Sequence, residues 1–180
     1  MEQKFILASK SNGRAKILRA AGFVFDCLPS ELDESKIRDD NPEELVKKLA
    51  FAKAEDVASK TDAKAIVIGA DTVCVFGGKI IEKPRDKVDA FRMLSAFSGK
   101  THMIFTGIAV VCKCGKKSIV DVSVSTVTFR SILKSEIDDY LLTDDALRFA
   151  GGYNIDETKS MRFIEGISGS YTGTIGMLLD

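Results

Sequence analysis

The stretch Val67-Ile68-Gly69-Ala70-Asp71-Thr72 constrains this chain more than any other. Ala65-Ile66-Val67-Ile68 is apolar without a polar break and β-branched, the pattern of a short strand covered on both faces. Burial is expected to stop at Asp71, so the run delivers a carboxylate and the Thr72 hydroxyl to the end of a buried strand. Ligands of open α/β sheets collect outside the carboxyl ends of the strands. An Asp in that place equally suits a turn cap bonded to local backbone, and other parts of the chain must decide.

Upstream, Phe5-Ile6-Leu7-Ala8 reads as a strand running into the polar turn Ser9-Lys10-Ser11-Asn12-Gly13-Arg14. A helix carrying Ile17, Leu18 and Ala21 follows and closes at Gly22. A strand, a small-residue turn with hydroxyls and cations, and a helix N-terminus can together hold phosphate. The spacings of a P-loop and of a Gly-x-Gly-x-x-Gly turn are both absent. A second strand over 23–28 leads to the acidic loop Glu31-Leu32-Asp33-Glu34. Asn41-Pro42-Glu43-Glu44 then opens a helix with an N-cap, a first-turn proline and an acid completing a capping box. Its apolar stripe runs to about Ser59, and Lys53 lies beside that stripe, able to snorkel out or to point into a cleft.

After the central strand, Gly77-Gly78 between Thr72–Phe76 and Lys79–Glu82 signals a hairpin. Lys83 before Pro84 is held extended. Asp86 and Asp89 start a helix through Phe97 that Ser98-Gly99 stops. A long β run over 103–111 turns at 113–116 and returns with Val120, Val122 and Val124 alternating with polar residues. Ser135 and Asp138 cap a short helix, residues 150–156 break regularity, and glycines recur through 166–176. Helices, hairpins and β-α steps together predict an α/β protein on a mixed β-sheet with flanking helices, in one domain over residues 1–180 with two lobes.

Twenty-six basic residues balance 26 acidic ones, which disfavours a general nucleic-acid binder. No apolar stretch is long enough for a signal peptide or a membrane span, so a cytoplasmic protein without membrane attachment is expected. Cys27, Cys74, Cys112 and Cys114 form no Cys-x-x-Cys pair and are expected to be reduced thiols, and the Cys/His spacing does not suit zinc. His102 is the sole histidine, and no nucleophile-elbow pattern supports a Ser-His-Asp triad. Asp33, Glu34 and Asp71, with Lys53 and Lys83 and the Ser9/Ser11/Arg14 turn, instead form a set suited to a metal-bound polyphosphate. Carboxylates suit Mg²⁺ or Mn²⁺, the cations neutralise phosphate, and one carboxylate can activate water.

These residues resemble the Maf family of nucleoside triphosphate pyrophosphatases, whose fold is similar to that of the inosine triphosphate pyrophosphatases. Leu-Ala-Ser-Lys-Ser-Asn-Gly-Arg over 7–14 is similar to the family's opening motif, and 31–34 to its acidic loop. Residues 67–73 are its most specific motif. Lys83-Pro84, Ser98-Gly99 with His102, Thr106-Gly107, Ala150-Gly151 and Gly169-Ser170-Tyr171 follow in the family's order. The resemblance implies cleavage between the α and β phosphates of a nucleotide, giving a monophosphate and pyrophosphate, with a divalent metal and Asp71 as proton acceptor. It implies further phosphate, metal or catalytic contacts at Ser9, Arg14, Glu34, Lys53 and Lys83, with Asp33 beside them.

Three departures bear on specificity and assembly. Asn12-Gly13 stand where the family has Pro-Arg, so an arginine is missing at Gly13. Asp156 stands where pyrimidine-reading members carry glutamine and is nearer to the glutamate of members acting on 7-methyl-GTP, which tilts the expectation away from dTTP and UTP; Thr72 matches the pyrimidine type. Met177-Leu178 stand where the family has Leu-Pro and a further helix, so that helix is lacking or its packing is replaced, as a homodimer contact could do. The expectation is a housecleaning pyrophosphatase for non-standard or modified nucleotides. Its alternatives are a catalytically weak nucleotide-binding regulator of cell division and a phosphatase that removes the terminal phosphate.

Overall fold

The computed structural model describes residues 3–115, 117–142, 145–156 and 158–179. In chain order these form β1 (Phe5–Leu7), α1 (Asn12–Ala20), β2 (Phe25–Cys27), α2 (Pro42–Ser59), β3 (Ile66–Phe76), β4 (Lys79–Ile81), α3 (Lys87–Phe97), β5 (Thr101–Cys112), β6 (Lys117–Phe129), α4 (Lys134–Tyr140), α5 (Thr158–Met161), β7 (Ile164–Ser168) and α6 (Tyr171–Ile175). The seven-stranded sheet has the order β2-β1-β3-β5-β6-β7, with β4 paired to β3. β1 lies parallel to β2 and β3, whereas the β3–β4 and β6–β7 pairs are antiparallel, so the sheet is mixed as expected.

The chain divides into two compact units, one of residues 1–72, 105–123 and 176–180, the other of residues 73–104 and 124–175. In the first, strand alternation separates two cores. Ile6, Val67, Ala109 and Val111 pack with Ala50, Ala54, Val57 and Ala58 of α2, while Leu7, Ile68 and Ala70 pack with Ala15 and Leu18 of α1 and with Met177. Two glycines set the depth at which α2 lies. A Cβ on Gly69 would stand 2.2 Å from the Ala50 carbonyl oxygen, and one on Gly107 would stand 2.4 Å from that of Val46. Only hydrogen fits there, so the backbone of α2 rests directly on β3 and β5. In the second unit Phe97, Phe129, Tyr140 and Phe163 are buried around α3, α4, β6 and the 145–155 segment.

Local signals translate directly at several places. Asn41 caps α2 by accepting from the Glu43 N–H, Asp86 caps α3 from the Asp89 N–H, and Gly77 and Gly78 take the positive φ of a two-residue hairpin turn. Other expectations need correction. β3 runs unbroken through Asp71, which is buried mid-strand, because β3 goes on past β1 to pair with β4. The parallel pairing of β1 and β3 does end at Leu7 and Ile68, so Asp71 lies beyond the carboxyl end of β1. α1 begins at Asn12, inside the expected turn. α4 begins at Lys134, with the Glu136 carboxylate accepting from the Leu133 N–H at 3.0 Å in place of a Ser135 cap. β7 had no strand-like signature. Cys112 and Cys114 are paired as a disulfide flanking Lys113, which leaves Cys27 and Cys74 as the free thiols. Lys116, in the predicted turn, and Asp180 lie outside the described residues.

His102 is buried in the second unit, stacked on Phe97, with Nε2 2.5 Å from the Tyr153 hydroxyl and, among the described residues, no partner for Nδ1. It is a core histidine with one hydrogen bond. Burial lowers its pKa from 6.5 to about 4. Between those values the unfolded chain binds a proton that the folded chain refuses, so this contribution is complete above pH 6.5 and is lost as pH falls towards 4. Urea unfolding across that window is expected to lose about 3 kcal/mol through this group, and His102→Gln should flatten that part of the profile. Gly107→Ala, which forces a methyl group against the Val46 carbonyl, is expected to destabilise by about 3 kcal/mol in the same assay.

Candidate active site

Alternation along β3 builds the site. Val67, Gly69 and Asp71 face α2, whereas Ile68, Ala70 and Thr72 face α1. Because Gly69 seats α2 against the strand, Lys53 in the buried stripe of that helix reaches Asp71. Its Nζ lies 2.6 Å from Asp71 Oδ1 and 2.8 Å from Glu34 Oε2. Lys53 and Asp71 are both buried; Glu34 opens the 3-10 turn Glu34–Lys36 and is half exposed on its side chain. The snorkelling alternative for Lys53 is therefore replaced by an inward ammonium between two carboxylates. Among the described residues Asp71 Oδ2 has no hydrogen-bond partner, and one N–H of Lys53 is left over.

On the α1 side Arg14 is held along its whole guanidinium. Nε donates to the Gly176 carbonyl at 2.8 Å, Nη1 to Ser9 Oγ at 3.2 Å and Nη2 to Thr72 Oγ1 at 3.2 Å. Burial lowers the Arg14 pKa, and the charges of Asp71 and Glu34 oppose that shift. An arginine stays protonated in any protein, so these two carboxylates balance a fixed cation. Among the described residues three of its five N–H groups are engaged in this way, which leaves two.

Ser9 shows how local structure fixes chemistry. Its Oγ accepts from the Ser11 N–H at 3.1 Å as well as from Arg14, which fills both lone pairs and leaves its hydroxyl proton as a donor. Ser11 caps α1 by accepting from the Arg14 N–H at 3.3 Å. Among the described residues the N–H groups of Asn12 and Gly13, first and second in the helix, have no acceptor. Gly13 thus offers backbone where a side chain is missing. Donors from Ser9, Arg14 and the start of α1 are of the kind that can hold an anion, and Lys53, Asp71 and Glu34 place an acid and a cation in the same unit.

Asp33 is exposed, and its Oδ1 accepts from the backbone and hydroxyl of Ser35 at 3.2 and 2.6 Å, so it does not join Glu34 and Asp71. Lys83, exposed before Pro84, and Asp156, half buried after Ile155, belong to the second unit. Among the described residues no three His, Cys, Asp or Glu side chains gather as a metal cage. Sequence reading assigned no role to Thr106, which is fully buried with its Oγ1 2.9 Å from Thr72 Oγ1, or to the Gly176 carbonyl. The glycine following Thr106 was the available signal, since glycine inside a strand marks close backbone approach.

Comparison with known proteins gives a consistent assignment. The family model for Maf-like protein matches residues 4–180. A dTTP/UTP pyrophosphatase of Alkaliphilus oremlandii is 37% identical over 175 residues, 97% of this chain and 90% of the relative. One from Bacillus pumilus is 39% identical over 174 residues, covering 97% and 90%, and one from Hydrogenovibrio crunogenus is 37% identical over 180, covering 99% and 92%. A solved nucleoside-triphosphatase / dITP/XTP pyrophosphatase from Mycobacterium abscessus is 13% identical with a TM-score of 0.44 over 72% of this chain and 76% of its own, a likeness that carries no functional weight.

The threonine pair makes a prediction of its own. Thr106→Val keeps the shape but removes the buried hydroxyl beside Thr72, and is expected to cost about 1 to 2 kcal/mol in chemical denaturation.

Proposed function

This chain belongs to the Maf family, and we propose that it hydrolyses pyrimidine nucleoside triphosphates to the monophosphate and pyrophosphate, with Asp71 as the general base. The observation that carries this reading is the Lys53 ammonium, which fixes Asp71 through Oδ1 and leaves Oδ2 open to accept a proton. A water deprotonated there attacks the α phosphorus, and the bond to the bridging oxygen breaks with pyrophosphate as leaving group. Arg14, the Ser9 hydroxyl, the remaining Lys53 N–H and the first N–H groups of α1 bind phosphate oxygens and stabilise charge as it builds on them.

A divalent cation such as Mg²⁺ or Mn²⁺ would add positive charge at the phosphate oxygens. Glu34 and Asp71 would hold it, because each keeps a carboxylate oxygen that Lys53 does not occupy and Mg²⁺ needs only one or two protein carboxylates beside phosphate. Asp33, bonded to Ser35, is left out of that set. Lys83 is proposed as a further phosphate contact.

Pyrimidine preference rests on the relatives' dTTP/UTP specificity and on Thr72; Asp156, a carboxylate that can accept from a guanine edge, supports 7-methyl-GTP as the second reading. We read residues 1–180 as one catalytic domain with a housecleaning role on free nucleotides in the cytoplasm. The balanced charge speaks against a nucleic-acid polymer as substrate, and among the described residues no helix is long and apolar enough to cross a membrane.

The test is a product assay with Mg²⁺ or Mn²⁺ over dTTP, UTP, 7-methyl-GTP and common triphosphates. Pyrophosphate release fastest with dTTP or UTP is expected, falling at least about a hundredfold in Asp71→Asn while nucleotide binding persists. A diphosphate and inorganic phosphate would point to a terminal phosphatase. Binding without turnover would leave only a nucleotide-binding regulator.

A further inference from the structure

The disulfide between Cys112 and Cys114 lies where β5 turns into β6, with a single residue between the two cysteines. A cross-link stabilises a fold chiefly by restricting the unfolded chain, and the effect grows with the number of residues it encloses. Here it encloses Lys113 alone, between two strands that the sheet already joins, so it does almost nothing for folding. The bond needs a different explanation.

Its surroundings are those of a bond that opens and closes. Cys114 is exposed and Cys112 half-buried. The 3-10 turn Lys113–Gly115 sets their Cα atoms 5.6 Å apart, within the span of about 4.4 to 6.8 Å that a disulfide bridges, so the backbone is already placed for pairing. Lys113 lies between the cysteines, Lys116 and Lys117 follow, and no acid comes before Asp121. Behind Cys112 the chain brings one charge of each sign, Asp62 and Lys64, on either side of Ala63. Exposed sulfur among cations is the setting in which thiolates form and exchange. The Ala63 carbonyl oxygen, 3.9 Å from Cys112 Sγ, can accept the S–H that reduction creates there. The other cysteines lack this combination. Burial pushes the Cys74 thiol up to about 12, and Cys27 is exposed but free.

We propose that Cys112 and Cys114 form a reversible two-electron couple that exchanges with small anionic disulfides and thiols such as glutathione, Cys114 attacking and Cys112 resolving. In the oxidising direction the Cys114 thiolate attacks one sulfur of the small disulfide, whose S–S bond breaks and releases a first thiolate. Cys112 then gives its proton to solvent and attacks Cys114 Sγ, breaking the mixed disulfide and releasing the second thiolate. Both released thiolates take up protons, so two electrons pass from the protein pair to one small disulfide, which becomes two thiols. Reduction runs the same steps backwards. An incoming thiolate meets Cys114 first, because that sulfur belongs to the exposed residue.

The test equilibrates the full chain carrying Cys27→Ser in buffers of stepped reduced-to-oxidised glutathione ratio, then quenches with acid, unfolds, alkylates and measures intact mass. Two alkyl groups are expected to appear together across one transition as the buffer becomes reducing, above the constant one on Cys74. In oxidised glutathione, Cys112→Ser on that background should hold Cys114 as a stable mixed disulfide, whereas Cys114→Ser should take up glutathione at least about tenfold more slowly. The urea midpoint should be alike in the two forms, since so short a loop restricts the unfolded chain little. Thiols that stay free at every ratio, a bond that survives excess reduced glutathione, mixed disulfides formed equally fast at both cysteines, or a urea midpoint that falls on reduction would each overturn the proposal.

Discussion

The contact between the Lys53 ammonium and the carboxylates of Asp71 and Glu34 is the interaction on which the rest of the first unit converges. Taking these charges out of water is costly, and a buried ion pair recovers that cost only with good geometry. Here the geometry comes from backbone. Gly69 and Gly107 let α2 lie on the sheet without intervening side chains, and the alternation of β3 turns Asp71 towards that helix. The pair is better understood as a positioning device than as a source of stability, since it holds one carboxylate oxygen in place and leaves the other open.

The two faces of β3 thereby take different chemical characters within three residues. Towards α2 stands an acid with a cation; towards α1, Thr72 and Arg14 join a lattice of hydroxyls and a carbonyl in which nearly every contact orients a donor. Ser9 is the clearest case, because two N–H groups occupy its oxygen and fix the direction of its proton. A triphosphate carries only acceptors, so a surface whose donors are already aimed needs little reorganisation to meet it.

Much of this was legible because it is local. The Asn41-Pro42 helix start, the Gly77-Gly78 hairpin and the polar turn before α1 each depend on residues within a few positions, and Asp71 stood out because an apolar run led to it. What the sequence hid depends on partners far along the chain. β3 passes through Asp71 because β4 extends the ladder, a consequence of pairing that residue patterns do not reveal. The inward turn of Lys53 required knowing which strand lay beneath α2, and Thr106 looked like any hydroxyl in a β run. Asp33 and Glu34, adjacent and chemically alike, part company because the first caps a turn while the second reaches across to another helix.

The Gly176 carbonyl that accepts from Arg14 comes from a residue 162 positions later in the chain. During synthesis Arg14, the polar turn and α1 are made well before the residue that supplies this acceptor. A chain that has not reached Gly176 lacks the strut that orients the guanidinium. The hydrogen-bond lattice around Arg14 is thus completed only after the chain has reached Gly176.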